Sequence, residues 1–173
     1  MEAQAGAADG DPVVAIYHVA LPQVYGYLLP RCGSVVVAED LTAETFMAAV
    51  AASRQGSVPE VTVAWLVGVA RHKLVDHWRR LAREQRNIAA AEGEGEAVDD
   101  PWDDWLDAEA AHAALSRLSA HHRIALTLRY LDGLPVAQVA EHVGRSVHAT
   151  ETLLARARAA LRRVYQEGER HDG

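Results

Sequence analysis

Residues 144–161, GRSVHATETLLARARAAL, gather side chains suited to recognising a polyanion. Ser146 is a good N-cap for the helix that follows. Thr150, Leu153, Leu154, Ala157, Leu161 and Val164 recur at helical spacing and form a stripe for burial. His148, Glu151, Thr152, Ala155 and Arg156 fall off that stripe, where side chains can reach base edges. Arg145, Arg158, Arg162 and Arg163 can meet phosphates, the sequence-independent part of nucleic-acid affinity. The preceding LPVAQVAEHVG reads as a shorter helix closed by Gly144, so the pair has the helix, tight turn, helix order of a helix-turn-helix. The same pattern also fits a small bundle with a solvated charged face, since arginines near a helix C-terminus favour the helix dipole. Glu151 has two readings as well: a good helix former three residues from His148, or an acceptor for cytosine N4.

Other chemistry finds little support. His121 and His122 are adjacent and His72 and His77 are five apart, so neither pair has the i, i+4 spacing of a helical zinc site. The single cysteine, Cys32, excludes an internal disulfide and fits a reducing cytoplasm. There is no G-x-S-x-G, no phosphate loop and no G-x-G-x-x-G. No metal, cofactor, small-molecule substrate or enzymatic activity is expected. The N-terminus lacks the basic and apolar regions of a secretory signal, and no continuous apolar run reaches the roughly 18 residues of a membrane span. Membrane insertion is therefore not expected, and the cytoplasm is.

The elements that must position these residues are all helical. Apolar residues recur from Val13 to Leu29, and Pro22 interrupts the run, which predicts two helices or one kinked helix. RCGS at 31–34 is a break. The valines at 35–37 are compatible with a strand, but the acids and the spacing of Leu41, Phe46 and Val50 favour a helix. RQGSVPE at 54–60 is a loop. Residues 61–86 form a strong helix, with Val63, Leu66, Val67, Ala70, Leu74, Trp78 and Leu81 on one stripe and His72, Asp76, Arg79, Arg80 and Arg83 on another face. The C-terminal part reads as helices over DAEAAHAALSRL and AHHRIALTLRYL, a DGLP turn, then the helix-turn-helix.

The formal charge of −7 is unevenly spread. Residues 1–90 carry −1, residues 91–111 carry −9 with no base, and residues 112–173 carry +3. The acidity belongs to one short segment and does not oppose polyanion binding elsewhere. The expected organisation is a tail at 1–11, a helical domain at 12–86, an acidic flexible linker at 87–105, a helix-turn-helix domain at 106–166 and a tail at 167–173. Trp102 and Trp105 are unexpected in a flexible linker and suggest docking.

Three stretches, in order, resemble the extracytoplasmic-function sigma factors, the small two-domain specificity subunits of bacterial RNA polymerase. AEDLTAETFMAA (38–49) is similar to the family's clamp-binding motif, AWLVGVARHKLVDHWRR (64–80) to its long promoter-contacting helix, and 117–161 to its C-terminal helix-turn-helix region. The resemblance implies that the helix carrying Glu39, Asp40, Leu41, Thr42 and Phe46 grips core RNA polymerase, with Phe46 serving the core and the acids the contact. It implies that His72, Asp76, Arg79, Arg80 and Arg83 lie on the minus-ten element, and that loop 54–62 stands where a flipped base is captured. It assigns Arg145, Ser146, His148, Glu151, Thr152, Ala155, Arg156 and Arg158 to the minus-thirty-five element. The implied partners are core RNA polymerase, promoter DNA and an anti-sigma factor, and the linker would enter the RNA exit path, where the run of nine carboxylates over 91–111 can mimic nucleic acid. The chain departs from the family pattern at Ala43 (usually Gln), His72 (usually Asn), Glu151 (usually Lys) and Leu153 (usually Arg). The last two leave two commonly inferred phosphate contacts without their cations. A second reading keeps the same fold in a regulator that binds protein partners without reading DNA.

Overall fold

The computed structural model describes residues 10–58, 60–88 and 113–169. The expected linker, with Trp102 and Trp105, lies outside the described residues apart from its first two positions, as do most of the expected tails. Every regular element among the described residues is helical, in agreement with the all-α expectation. The chain divides into two compact units, residues 1–73 and 74–173, with the boundary inside the third helix.

In the first unit, α1 spans Pro12–Cys32 and α2 spans Val35–Arg54. Asp11 caps α1 by accepting from the Val13 N–H at 3.0 Å, with Pro12 in the first turn, where its missing N–H costs nothing. Of the alternatives left at Pro22, the two separate helices do not occur: α1 runs through Pro22 and Pro30 as one helix. It ends at Gly33, whose φ of 64° supplies the left-handed C-cap. Ser34 then caps α2 through the Val37 N–H, so the valines at 35–37 begin a helix rather than a strand. α1 buries Val13, Ala20, Val24 and Leu28, and α2 buries Ala38, Leu41, Thr42, Thr45, Phe46 and Ala49. The two buried threonine hydroxyls donate to the carbonyls of Ala38 and Leu41 at 2.7 Å, which satisfies them inside the core. By length and composition α1 is apolar enough to cross a membrane, but its buried row packs against α2. The third helix, α3, spans Val63–Ile88, and Thr62 accepts from the Trp65 N–H at its start. Its Lys73 reaches Glu44 of α2 at 3.7 Å.

The second unit holds the end of α3, a helical turn at 113–116, α4 (Ala120–Leu126), a π-helical turn (Thr127–Leu131), α5 (Val136–Val143) and α6 (Val147–Glu169). Its core clusters Ala114, Leu115, Leu118, Leu126, Ala157 and Leu161, with Val164 and Tyr165 packed against them. A second cluster joins Ala125 to Leu153 and Leu154. Arg123 donates to the carbonyls of Leu115, Ser116 and Leu118, satisfying the orphan acceptors of the 113–118 turn. The Ala120 N–H, at the start of α4, donates to Gln85 Oε1 at 3.1 Å. In the π turn the Asp132 N–H bonds the Thr127 carbonyl, five residues back.

Candidate nucleic-acid and polymerase interfaces

The helix-turn-helix is built from α5, a tight turn and α6. Gly144 stands at φ 66°, a conformation an L side chain resists, and the Arg145 N–H closes onto the Ala140 carbonyl at 3.0 Å. Ser146 accepts from the Ala149 N–H at 3.2 Å, the expected N-cap, which contributes about 1 kcal/mol to such a helix. Thr150, Leu153, Leu154, Ala157 and Leu161 are buried and Val164 is half-buried, so the stripe seats α6 on the unit. Arg145, Ser146, His148, Glu151 and Thr152 are exposed, and Ala155, Arg156 and Arg158 are half-buried. The Thr152 hydroxyl donates to the His148 carbonyl at 3.1 Å, which leaves its oxygen to accept. Leu153 is a core residue, so a cation there would be buried among Ala125 and Leu154. At the position where the family usually carries Arg, Leu153 therefore serves packing. Glu151 does sit on the open face.

One histidine beside α6 is perturbed. Burial, and then the neighbouring Arg163 and Arg156 guanidiniums, hold His122 below its ordinary value of 6.5.

Along α3, His72, Asp76, Arg80 and Arg83 are exposed, whereas Arg79 is half-buried. Within the second unit the Arg79 guanidinium donates to the His142 carbonyl, and it lies 3.1 Å from where a Cβ on Gly144 would stand. Arg79 is thus engaged with the helix-turn-helix turn, unlike its neighbours on the expected face. Gly144 serves two purposes: it adopts the left-handed turn and leaves room for this guanidinium.

In the first unit the five expected polymerase-binding residues separate into two kinds. Leu41, Thr42 and Phe46 are buried, and Phe46 meets Tyr17 edge-on with ring centroids 4.9 Å apart. Glu39 and Asp40 are exposed. Beside them an open, mostly apolar cleft of about 530 Å³ lies between α1 and α2, lined among others by Tyr17, Tyr25, Glu39, Ala43 and Phe46. A second depression of about 500 Å³ continues it past Val14 and Met47. Val14 is 64% and Met47 72% exposed, a large apolar surface to leave in water. Sequence reasoning missed Val14, Tyr17, Tyr25 and Met47 as surface features. The available signal was that α1 carries apolar residues on more than one face, more than its packing on α2 consumes. Among the described residues, no three His, Cys, Asp or Glu side chains gather in a way that could hold a metal ion.

Residues 16–84 match the family model for Sigma-70 region 2, and residues 108–161 match that for Sigma-70, region 4. The chain is 30% identical over 173 residues to the ECF RNA polymerase sigma factor SigL of Mycobacterium tuberculosis, covering 94% of each protein. It is 34% identical over 176 residues to the ECF RNA polymerase sigma factor BldN of Streptomyces coelicolor, covering 97% of this chain and 65% of that protein. Among solved structures it is similar to the sigma factor RpoE of Bartonella quintana, crystallised with the anti-sigma factor NepR. That match has 23% identity and a TM-score of 0.54, over 91% of this chain and 98% of that one. At that identity the likeness bears on the fold.

Proposed function

The chain belongs to the extracytoplasmic-function sigma factors, and from that premise we propose that it binds core RNA polymerase, recognises promoter DNA with both of its sigma regions and directs transcription initiation. The observation that carries this reading is the pairing, on one chain and in order, of sigma regions 2 and 4, the latter with a recognition helix whose polar residues stand clear of its buried stripe.

In this reading Glu39 and Asp40 contact the polymerase clamp, while Leu41, Thr42 and Phe46 hold their helix in place. His72, Asp76, Arg79, Arg80 and Arg83 face the minus-ten element, and Arg79 leaves the His142 carbonyl to do so. Arg145, Ser146, His148, Glu151, Thr152, Ala155, Arg156 and Arg158 face the minus-thirty-five element, with Arg145 and Arg158 on phosphates and His148, Glu151, Thr152, Ala155 and Arg156 at base edges. The polymerase supplies much of the affinity, so one tolerated carboxylate at Glu151 does not prevent docking. The protein acts in the cytoplasm as a regulatory subunit without catalytic activity of its own. An anti-sigma factor is its further partner in this reading.

The test is reconstitution. Purified protein with core polymerase is expected to start transcription from promoters that core alone ignores, and sequencing the selected promoters defines the two elements. Replacing Arg79 and Arg80 together by Ala is expected to lower initiation about tenfold or more. Full activity in that variant would remove the minus-ten assignment, and no promoter-dependent initiation by the wild type would remove the sigma reading.

A further inference from the structure

Tyr130 is a large aromatic left on the surface of the helix-turn-helix unit, 51% exposed and outside both core clusters of that unit. It lies in the π turn, and it is held from two elements. Arg158 of α6 donates from Nη1 to the Tyr130 hydroxyl oxygen at 3.0 Å. Arg129, its neighbour in the π turn, places its guanidinium carbon 6.0 Å from the ring centroid, the outer limit of a cation–π contact. Arg129 in turn donates from Nη1 to the Leu134 carbonyl at 3.0 Å, which fastens it to the loop leading into α5. Two guanidiniums from separate elements therefore converge on one phenol.

The position matters as much as the chemistry. Arg158 follows Glu151 by seven residues, about two turns of helix, so both lie on the same side of α6. The Tyr130 group therefore borders the face that carries Glu151 and Ala155. An arginine side chain on an open surface samples many rotamers, and it loses that freedom when it grips a phosphate. A hydrogen bond that fixes it beforehand lowers the cost of binding.

We propose that Tyr130 is a positioning residue for DNA: with Arg129 it holds Arg158 ready for one phosphate of the backbone beside the recognition helix. The ligand class is a phosphodiester, whose charged oxygens accept from guanidinium donors and carry the salt dependence that the test reads. This rests on the sigma-factor reading and names a residue outside the family assignment given above.

The test uses the full chain assembled with core polymerase on a promoter duplex, with affinity measured across a salt series. Tyr130→Phe keeps the ring and removes the hydroxyl. It is expected to weaken binding about three- to tenfold at every salt concentration with little change in the slope of log affinity against log salt, because the Arg158 charge stays. Arg158→Ala is expected to weaken binding at least as much and to reduce that slope by about 0.9, the signature of one lost phosphate contact, and the double variant to bind no worse than Arg158→Ala alone, because the two side chains act as one unit. Unchanged affinity in Tyr130→Phe overturns the proposal, even with a lowered melting temperature, because that combination is a purely structural role. Additive losses in the double variant overturn it too. Both results leave promoter binding by the wild type intact, whereas failure of the sigma reading would abolish it.

Discussion

The α2 motif and the recognition helix both match their family, yet they use their residues in opposite ways. Of the five motif residues in α2, Leu41, Thr42 and Phe46 are buried and Glu39 and Asp40 meet solvent. In α6 the buried stripe and the reading face are separate sets, and Arg145, Ser146, His148, Glu151 and Thr152 all stand open. A motif written mostly into a core tolerates few changes, because packing punishes them. A motif written on a surface is free to vary, and Glu151 is where this chain has varied. The first region therefore reports the fold, and the second reports what is particular to this protein.

The sharpest test of that contrast is to attack one motif from both sides. Phe46→Ala removes a ring packed against Tyr17 and is expected to cost about 3–5 kcal/mol in chemical denaturation. Glu39→Lys with Asp40→Lys is expected to change stability by no more than about 0.5 kcal/mol per site, while weakening core-polymerase binding about tenfold or more through like-charge placement. Equal effects of the two variants on stability would break the division into core and contact. On the other helix, Glu151→Gln is expected to strengthen promoter binding a few-fold at every sequence alike, by relieving repulsion from the backbone. A changed preference confined to one base pair, worth about 1–3 kcal/mol, would show instead that the carboxylate reads a base.

The smallest effect concerns pH. The value for His122 is lowered in the folded chain, by burial first and then by Arg163 and Arg156. As pH falls below about 6.5 the unfolded chain takes up this proton before the folded one, so folding loses stability there and is unaffected above. His122→Gln is expected to flatten that part of the stability curve, which thermal melts across the range would detect. A slope unchanged by the substitution would assign the pH dependence to other groups.

Much of this arrangement was legible in the sequence because it rests on strong local rules. Gly33 and Gly144 occupy left-handed caps, Ser34 and Ser146 cap the helices that follow, and the stripes at helical spacing are the buried ones. Pro22 left two helices or one kinked helix open, and a single helix forms with Pro22 at its surface. The π turn was invisible, since TLRYL carries no periodicity that separates it from an α-helix. Arg79 was legible as a cation on a polar face but not in its contact with His142, because that contact joins residues 63 apart. Leu153 is the reverse case: comparison with the family suggested a lost phosphate contact, and its own spacing already placed it in the core.

The π turn at Thr127–Leu131 is also a unit of phase. Its hydrogen bond spans one residue more than an α turn, and each helical residue advances the chain by about 100°. The extra residue therefore works as an insertion absorbed by rotation, with no loop lengthened to hold it. Deleting one residue from 127–131 would leave the flanking connections the same length and swing Tyr130 roughly a quarter turn from Arg158. At this point of the chain, a change in length is read out as an angle.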